Sequence, residues 1–479
     1  MRPIFAALFA LLPFPALAAR PALEKPNVIV ILLDDAGYGD FSHTGNPVIQ
    51  TPNLSRMVRD GANFPQFYSG AAACTASRYG LLTGRNYLRS GLPGWAIGPE
   101  VKRYIHPREL TLAEGLKEQG YATAIFGKWH LGTPNEANGM AKEALPLANG
   151  FDRWLGTNVS NDYETGSNLI QGPSDKNTPI PGYELLEADI DQNVTLQEGL
   201  TQRYTDAALG FIREKKDEPF FIYLAPNMPH LPVHASDKFK GTSRRGLYGD
   251  AIQEIDANLG RLRAGLTEAG LEKNTLIIFT SDNGPWIQFQ NTASHPRYDE
   301  ARLLVGSALP FRDGKASTWE GGQRVVGVWC WPGTIPSETV VPEPASSLDI
   351  LPTVFSLAGA KLPEDRNIDG RNIRPMLGVE QWQGAVSNFN FIYADNKEVN
   401  AARFGPWKIH TRLVSQSGIN HGFTASPEKP LLFQVEQDFS ERIDRAAEQP
   451  EKVKEGLAVI RGFKDSLAKE GTFWDREGP

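Results

Sequence analysis

Two pairs of oxygen-bearing side chains stand where metal chemistry would need them. Asp34-Asp35 closes one apolar run, and Asp282-Asn283-Gly284 closes another much later in the chain. Hard divalent cations such as calcium and magnesium take oxygen ligands of this kind. Either pair alone reads equally well as a cap or a turn, because Asp and Asn favour both roles. Two pairs at corresponding strand ends favour the metal. A third feature is Ala73-Cys74-Thr75-Ala76-Ser77-Arg78, leading into Tyr79-Gly80-Leu81-Leu82-Thr83-Gly84-Arg85. Small residues followed by a helical pattern place Cys74 at a helix N-terminus, where amides and the dipole favour anions. Arg78 lies four residues on, hence on the same face. From the residues alone, Cys74 is a nucleophilic cysteine beside fixed positive charge.

The elements that must position these groups are legible as short apolar runs. Val28 to Leu33 (VIVILL) is wholly apolar and rich in β-branched residues, as a parallel strand buried on both faces reads. Ala122 to Phe126, Phe220 to Ala225, Leu276 to Thr280 and Val325 to Trp331 are of the same type. Helical patterns alternate with them: Leu54, Met57 and Val58, then Leu112 and Leu116, then Ile252, Ile255, Leu259, Leu262 and Leu266. Alternation of this kind predicts an α/β fold, a large mainly parallel sheet sandwiched by helices. In such sheets ligands gather beyond the carboxyl ends of the strands. Leu131 to Leu200, rich in Gly, Asn, Pro and acidic residues, reads as a long irregular insertion. Beyond about residue 380 the character changes to short strands, Phe389 to Ala394, Ala401 to Phe404, Trp407 to Thr411 and Leu431 to Val435. A helix follows with Val453, Leu457, Ile460, Phe463 and Leu467 on one stripe. This predicts a catalytic domain over 20–380 and a smaller antiparallel sheet plus helix over 381–479.

Several separated motifs, in order, resemble the sulfatase family. Cys74-Thr75-Ala76-Ser77-Arg78 followed by Leu-Leu-Thr-Gly resembles the signature C-x-P-x-R with its trailing T-G. Gly120-Tyr121-Ala122-Thr123 through Gly127-Lys128-Trp129-His130 resembles the second signature. Asn27 to Gly39, Phe279 to Gly284, and Gly314-Lys315 with Trp319-Glu320-Gly321-Gly322 and Arg324 match further family segments. The resemblance implies an alkaline phosphatase-like fold and hydrolysis of sulfate esters, arylsulfatase-like. It implies that Asp34, Asp35, Asp282 and Asn283 bind calcium, or magnesium, together with residue 74. It implies oxidation of Cys74 to formylglycine (3-oxoalanine), which calls for a transient maturation enzyme as partner. Arg78 and Lys128 would neutralise the neighbourhood of the nucleophile. His230, in Asn227-Met228-Pro229-His230, and Lys315 would contact the sulfate, with His230 the better general acid. His130 would take a proton from the hydrate, and Ser160 would be a further polar contact. At the third signature position this chain has Ala76 rather than proline, a C-x-A-x-R form that some sulfatases of anaerobic type carry.

Plainer readings exist for these side chains. Lys128 and Lys315 without their motifs would be surface lysines, and His130 and His230 ordinary polar contacts. His43, His106, His295, His410 and His421 read as structural or surface residues, and His234 as a cleft candidate. Trp329 and Trp331 read as core packing.

Met1 to Ala18 reads as an export signal: Arg2, an apolar stretch interrupted by Pro13 and Pro15, then Ala16-Leu17-Ala18. That predicts a periplasmic or secreted protein. No stretch approaches the ~20 apolar residues of a membrane span. The net charge of −7 argues against nucleic acid as partner, so an anionic substrate, a sulfated small molecule or carbohydrate, must be drawn by local cations. The two cysteines, Cys74 and Cys330, sit in a loop-to-helix junction and an apolar run, and are expected to be unbridged. Rival readings are a phosphonate monoester hydrolase or phosphodiesterase of the same superfamily, and a carbohydrate-binding protein without catalysis.

Overall fold

The structure, a computed structural model, describes residues 25–477 except 177, 288–304, 383, 397, 416, 419 and 421. The export-signal reading of Met1 to Ala18, and His295 and His421, lie outside the described residues.

The strand β1 (Asn27–Leu33) is buried along its whole length and alternates between two cores. Val28, Val30 and Leu32 face one, and Ile29, Ile31 and Leu33 the other. A strand apolar at every position after its first residue, Asn27, is buried at the centre of a sheet covered on both faces. It lies there, in a ten-stranded sheet of order β12-β2-β11-β9-β1-β8-β4-β5-β6-β7. Here β2 is Ala62–Asn63, β4 Ala122–Gly127, β5 Arg153–Thr157, β6 Leu169–Gly172, β7 Glu184–Glu187, β8 Phe220–Ala225, β9 Thr275–Ser281, β11 Gly327–Cys330 and β12 Thr339–Val340. The five central strands, β9 to β5, are mutually parallel. One face carries α2 (Cys74–Thr83), α3 (Leu112–Glu118) and α7 (Ile350–Ala358), whose Leu82, Leu116 and Phe355 enter the first core. Opposite lie α1 (Pro52–Arg59), α4 (Val194–Glu214) and α5 (Leu247–Glu268), with Met57, Phe211 and Leu262 in the second. The α/β sandwich and its parallel centre are as expected.

Two readings change. Val325 to Trp331 is not one strand: β10 (Arg324–Val325) joins β3 (Phe67–Tyr68) and β13 (Ala345–Ser346) in a small sheet. After Val326 the chain crosses over as β11, antiparallel to β9. An apolar run records burial, not strand direction, so the split left no trace in the composition. The 131–200 segment, expected to be irregular, contributes β5, β6 and β7 to the sheet edge and the start of α4. These strands are four or five residues long and partly exposed, too short to establish a period.

A four-stranded antiparallel sheet follows, β14 (Asn390–Ala394), β15 (Val399–Phe404), β16 (Trp407–His410) and β17 (Leu431–Gln434). The helix α8 (Pro450–Glu470) packs Ile460 against it. Chain-end α9 (Phe473–Glu477) buries Phe473 against His106, stacked at 5.4 Å. The short α6 (Glu320–Gln323) links core and small sheet. Among the described residues no helix is long and apolar enough to cross a membrane.

Candidate active site

Parallel register decides what meets at the sheet edge. Leu33 of β1 pairs with Ser281 of β9, so Asp34-Asp35 emerge beside Asp282-Asn283. The backbone N–H of Asp35 donates to Asp282 Oδ1 (3.1 Å), and Asn283 Nδ2 donates to Asp35 Oδ1 (2.7 Å). On the other side of β8, Gly127 pairs with Ala225, and Lys128 N–H donates to the Ala225 carbonyl (2.8 Å). Gly127 is obligatory there: its φ is +120°, and a Cβ would lie 1.9 Å from the Ala225 oxygen. Four adjacent strand ends thus deliver Lys128, His230, the Asp34–Asp35 pair and the Asp282–Asn283 pair to one place. Asp35 and His130 themselves sit at φ 64° and 58°, left-handed backbone that costs energy outside glycine.

Above this edge stands Cys74, first residue of α2, with its Sγ–H directed at Asp34 Oδ1 (3.6 Å). Each carboxylate has a cationic partner. Lys128 Nζ is 2.6 Å from Asp34, Lys315 Nζ 2.8 Å from Asp35, and Arg78 Nη2 2.8 Å from Asp282 and 3.5 Å from Asp34. All six groups are buried. Charges withdrawn from water this completely persist only when paired. Lys128 also donates to Ser160 Oγ (3.0 Å). Every site residue expected from the sequence is brought into this cluster or its wall. His234 is buried and donates its backbone N–H to Met228 Sδ (3.1 Å). Cys74 and Cys330 are both free, as expected.

Burial and neighbouring charge set the protonation states. Burial alone would raise Asp34, but Lys128, His230, Arg78 and Lys315 hold it well below the carboxylate range. Burial and the Asp34 charge push Asp282 up to about 7 against the pull of Arg78. The Cys74 thiol is driven by burial to about 12 despite Lys128 and Lys315. Burial and Lys315 lower His230, while burial, Lys128 and Arg78 lower His130 well below its usual value, so both rings are neutral near pH 7. Carbonyls only accept, which assigns the tautomers. His130 donates Nε2–H to the Ile97 oxygen (2.9 Å), leaving Nδ1 a bare acceptor with no hydrogen bond to the protein. His230 donates Nδ1–H to the Leu231 oxygen (2.6 Å), leaving Nε2 to accept from Lys315 Nζ (3.1 Å).

The donor set fits a divalent cation. Ligand atoms of Asp34, Asp35, Cys74 and His230 lie within 4.8 Å of one another, and the buried Asn283 Oδ1 makes no hydrogen bond to the protein. Three carboxylates already balanced by three cations would gain a net positive charge with such an ion. That gives an anionic ester a local attraction which the chain's overall −7 does not supply.

Two positions in the wall carried no signal in the sequence. Thr75 Oγ1 donates to the His130 carbonyl (2.9 Å), tying the start of α2 to the β4 strand end. Trp286, half-buried just beyond the Asp282-Asn283-Gly284 segment, lies against Lys315 and His230. Thr75 falls at a variable position of the first signature, and Trp286 lies outside the quoted motifs. The alanine at position 76 has a local reason: its N–H donates to the Trp95 carbonyl (3.1 Å), a bond proline cannot make.

A family model described as Sulfatase matches residues 26–360. The chain is 35% identical over 464 residues to N-acetylgalactosamine-6-sulfatase of Rattus norvegicus, covering 89% of this chain and 82% of that protein. It is 35% identical over 469 residues to arylsulfatase A of Bos taurus, covering 93% and 88%. Among solved structures, the PsFucS1 sulfatase from Pseudoalteromonas sp. superposes with a TM-score of 0.79 at 26% identity, over 94% of this chain and 92% of that one.

Proposed function

The chain belongs to the sulfatase family and hydrolyses sulfate esters, and from that premise we propose that the cluster beneath Cys74 is its reaction centre. In this reading Cys74 is oxidised to formylglycine, whose hydrate offers two hydroxyls on one carbon, one to take the sulfuryl group and one to release it. Asp34, Asp35, Asp282, Asn283 and residue 74 would hold a divalent cation, calcium or magnesium by the oxygen-rich set. When bound, that ion polarises a sulfate oxygen and makes an ionised hydroxyl at residue 74 less costly.

The chain's own residues do the rest. Arg78 and Lys128 stand within the cluster to meet charge on the sulfuryl oxygens. Ser160 accepts a second hydrogen bond from the Lys128 ammonium besides its pairing with Asp34. As the sulfur–oxygen bond to the leaving alcohol or phenol breaks, that oxygen takes a proton from the Lys315–His230 pair. Lys315 carries the proton here, and the neutral His230 receives from it. In this reading Lys315 is the donor and His230 assists it, whereas the sequence favours His230 with Lys315 assisting. His130 Nδ1, buried and free to accept, suits removal of the proton from the second hydroxyl, which expels sulfate and restores the aldehyde.

The observation that carries the reading is the trio of carboxylate–cation pairs closed around Cys74. Mass spectrometry of the tryptic peptide containing residue 74 should find the aldehyde or its hydrate, and an intact thiol in active enzyme would refute the modification. Chelator treatment should abolish sulfate release and added calcium restore it. We also read the protein as exported by its first residues to the periplasm or beyond, matured by a transient partner enzyme, and divided near residue 380. The substrate belongs to the sulfated small molecules or carbohydrates. A screen of released sulfate across chemically distinct esters identifies it.

A further inference from the structure

We propose that Trp286 is a positioning residue that fixes the Lys315–His230 pair opposite the departing oxygen, an inference that rests on reading that pair as the proton donor. The Lys315 Nζ lies over the Trp286 ring, 4.7 Å from its centroid. The same ring meets the His230 imidazole at 5.7 Å between centroids and an angle of 58°. The neighbouring Pro285 carbonyl accepts the Lys315 backbone N–H (2.9 Å), so one dipeptide restrains both ends of Lys315. Trp286 is itself backed by the second core, which makes it a rigid wall. The ammonium is therefore held between an aromatic face and Asp35 Oδ2 (2.8 Å). A lysine has a long, freely rotating stem, and an aromatic face is one of few surfaces that fixes its charge without neutralising it. Without that wall Lys315 would still pair with Asp35 but would swing about it, taking His230 along.

The test uses phenyl sulfates with graded ring substituents, because a poor leaving group needs the proton and 4-nitrophenol does not. In Trp286→Ala, kcat on unsubstituted phenyl sulfate should fall about 10- to 100-fold, with less than about a 3-fold change on 4-nitrophenyl sulfate. KM should stay within about 3-fold on both. Trp286→Phe, which keeps a ring face, should restore most of the loss, whereas Trp286→Leu, which keeps bulk alone, should not. The Leu and Phe comparison stands even if the alanine variant folds poorly. An equal loss on every ester, a change confined to KM, or rescue by leucine as complete as by phenylalanine would overturn the role of Trp286. Lys315→Ala is the control: it must show the same leaving-group dependence. Should it not, the donor reading itself falls and the proposal with it.

Discussion

Every ionised group around Cys74 is withdrawn from water, so each is held by one or two specific partners and small changes should be felt. Ser160 shows the principle. Its hydroxyl accepts from Lys128 Nζ at 3.0 Å, while Asp34 takes the same ammonium at 2.6 Å. Removing the hydroxyl leaves one buried N–H without a protein acceptor, a cost of about 1–3 kcal/mol. Ser160→Ala should therefore lower kcat/KM on an aryl sulfate about tenfold, since tenfold corresponds to roughly 1.4 kcal/mol. Steady-state kinetics check it, and an unchanged kcat/KM would place Ser160 outside the reaction. His130 and His230 show a subtler effect. The sequence assigns one to donate a proton and the other to remove one, but only the carbonyls of Ile97 and Leu231 fix opposite tautomers, one ring offering Nδ1 and the other Nε2.

At the scale of elements, the site is a consequence of strand ends in register. Nothing in Asp34 or Asp282 draws them together; the parallel ladder from Asn27↔Thr275 to Leu33↔Ser281 does. One tight point is β4, where Gly127 lets Lys128 pass against Ala225. Alanine there combines a disfavoured backbone with a direct clash into main-chain oxygen. Gly127→Ala should cost about 3 kcal/mol or more in urea unfolding. A midpoint unchanged from the parent would mean that the strand end tolerates a side chain. The strands β5 to β7, at one end of the sheet, illustrate the opposite case. Their short, partly exposed sequences gain their conformation from the sheet they join rather than from their own pattern.

For the molecule as a whole, the small C-terminal sheet is joined to the core through buried charge. Glu320 of α6 accepts from Lys408 Nζ (3.0 Å) in β16, from Tyr393 (2.9 Å) in β14 and from Tyr68 (2.5 Å) in β3. Glu441 takes the same lysine at 3.0 Å and His410 at 2.8 Å. Burial alone would raise Glu320, but Lys408, Arg324 and Arg403 overcome it and hold the carboxyl down at about 2. The folded value lies below the unfolded one, near 4.5. The resulting stabilisation is therefore complete above about pH 4.5 and is lost as pH falls from there toward 2. Its size is on the order of 3 kcal/mol. Glu320→Gln should be less stable at neutral pH and should lose less further stability between pH 4.5 and 2 than the parent. Thermal unfolding across that range measures it, and parallel acid limbs for the two proteins would remove Glu320 as the linked group.

The chain's local chemistry was open to reading in advance because it is carried by neighbours in sequence. Most apolar β-branched runs read as central strands, small residues before a helical pattern as a helix start, and fixed spacings at 74–85 and 120–130 marked the family. The C-terminal sheet was legible as a change to short apolar runs beyond about residue 380, and its helix as an apolar stripe at helical spacing. Strand direction, the splitting of 325–331, the strands inside 131–200, the histidine tautomers and the place of Trp286 were decided only by the fold. Each depends on contacts between segments far apart in the chain, and a linear pattern records how buried a residue must be but not which partner buries it.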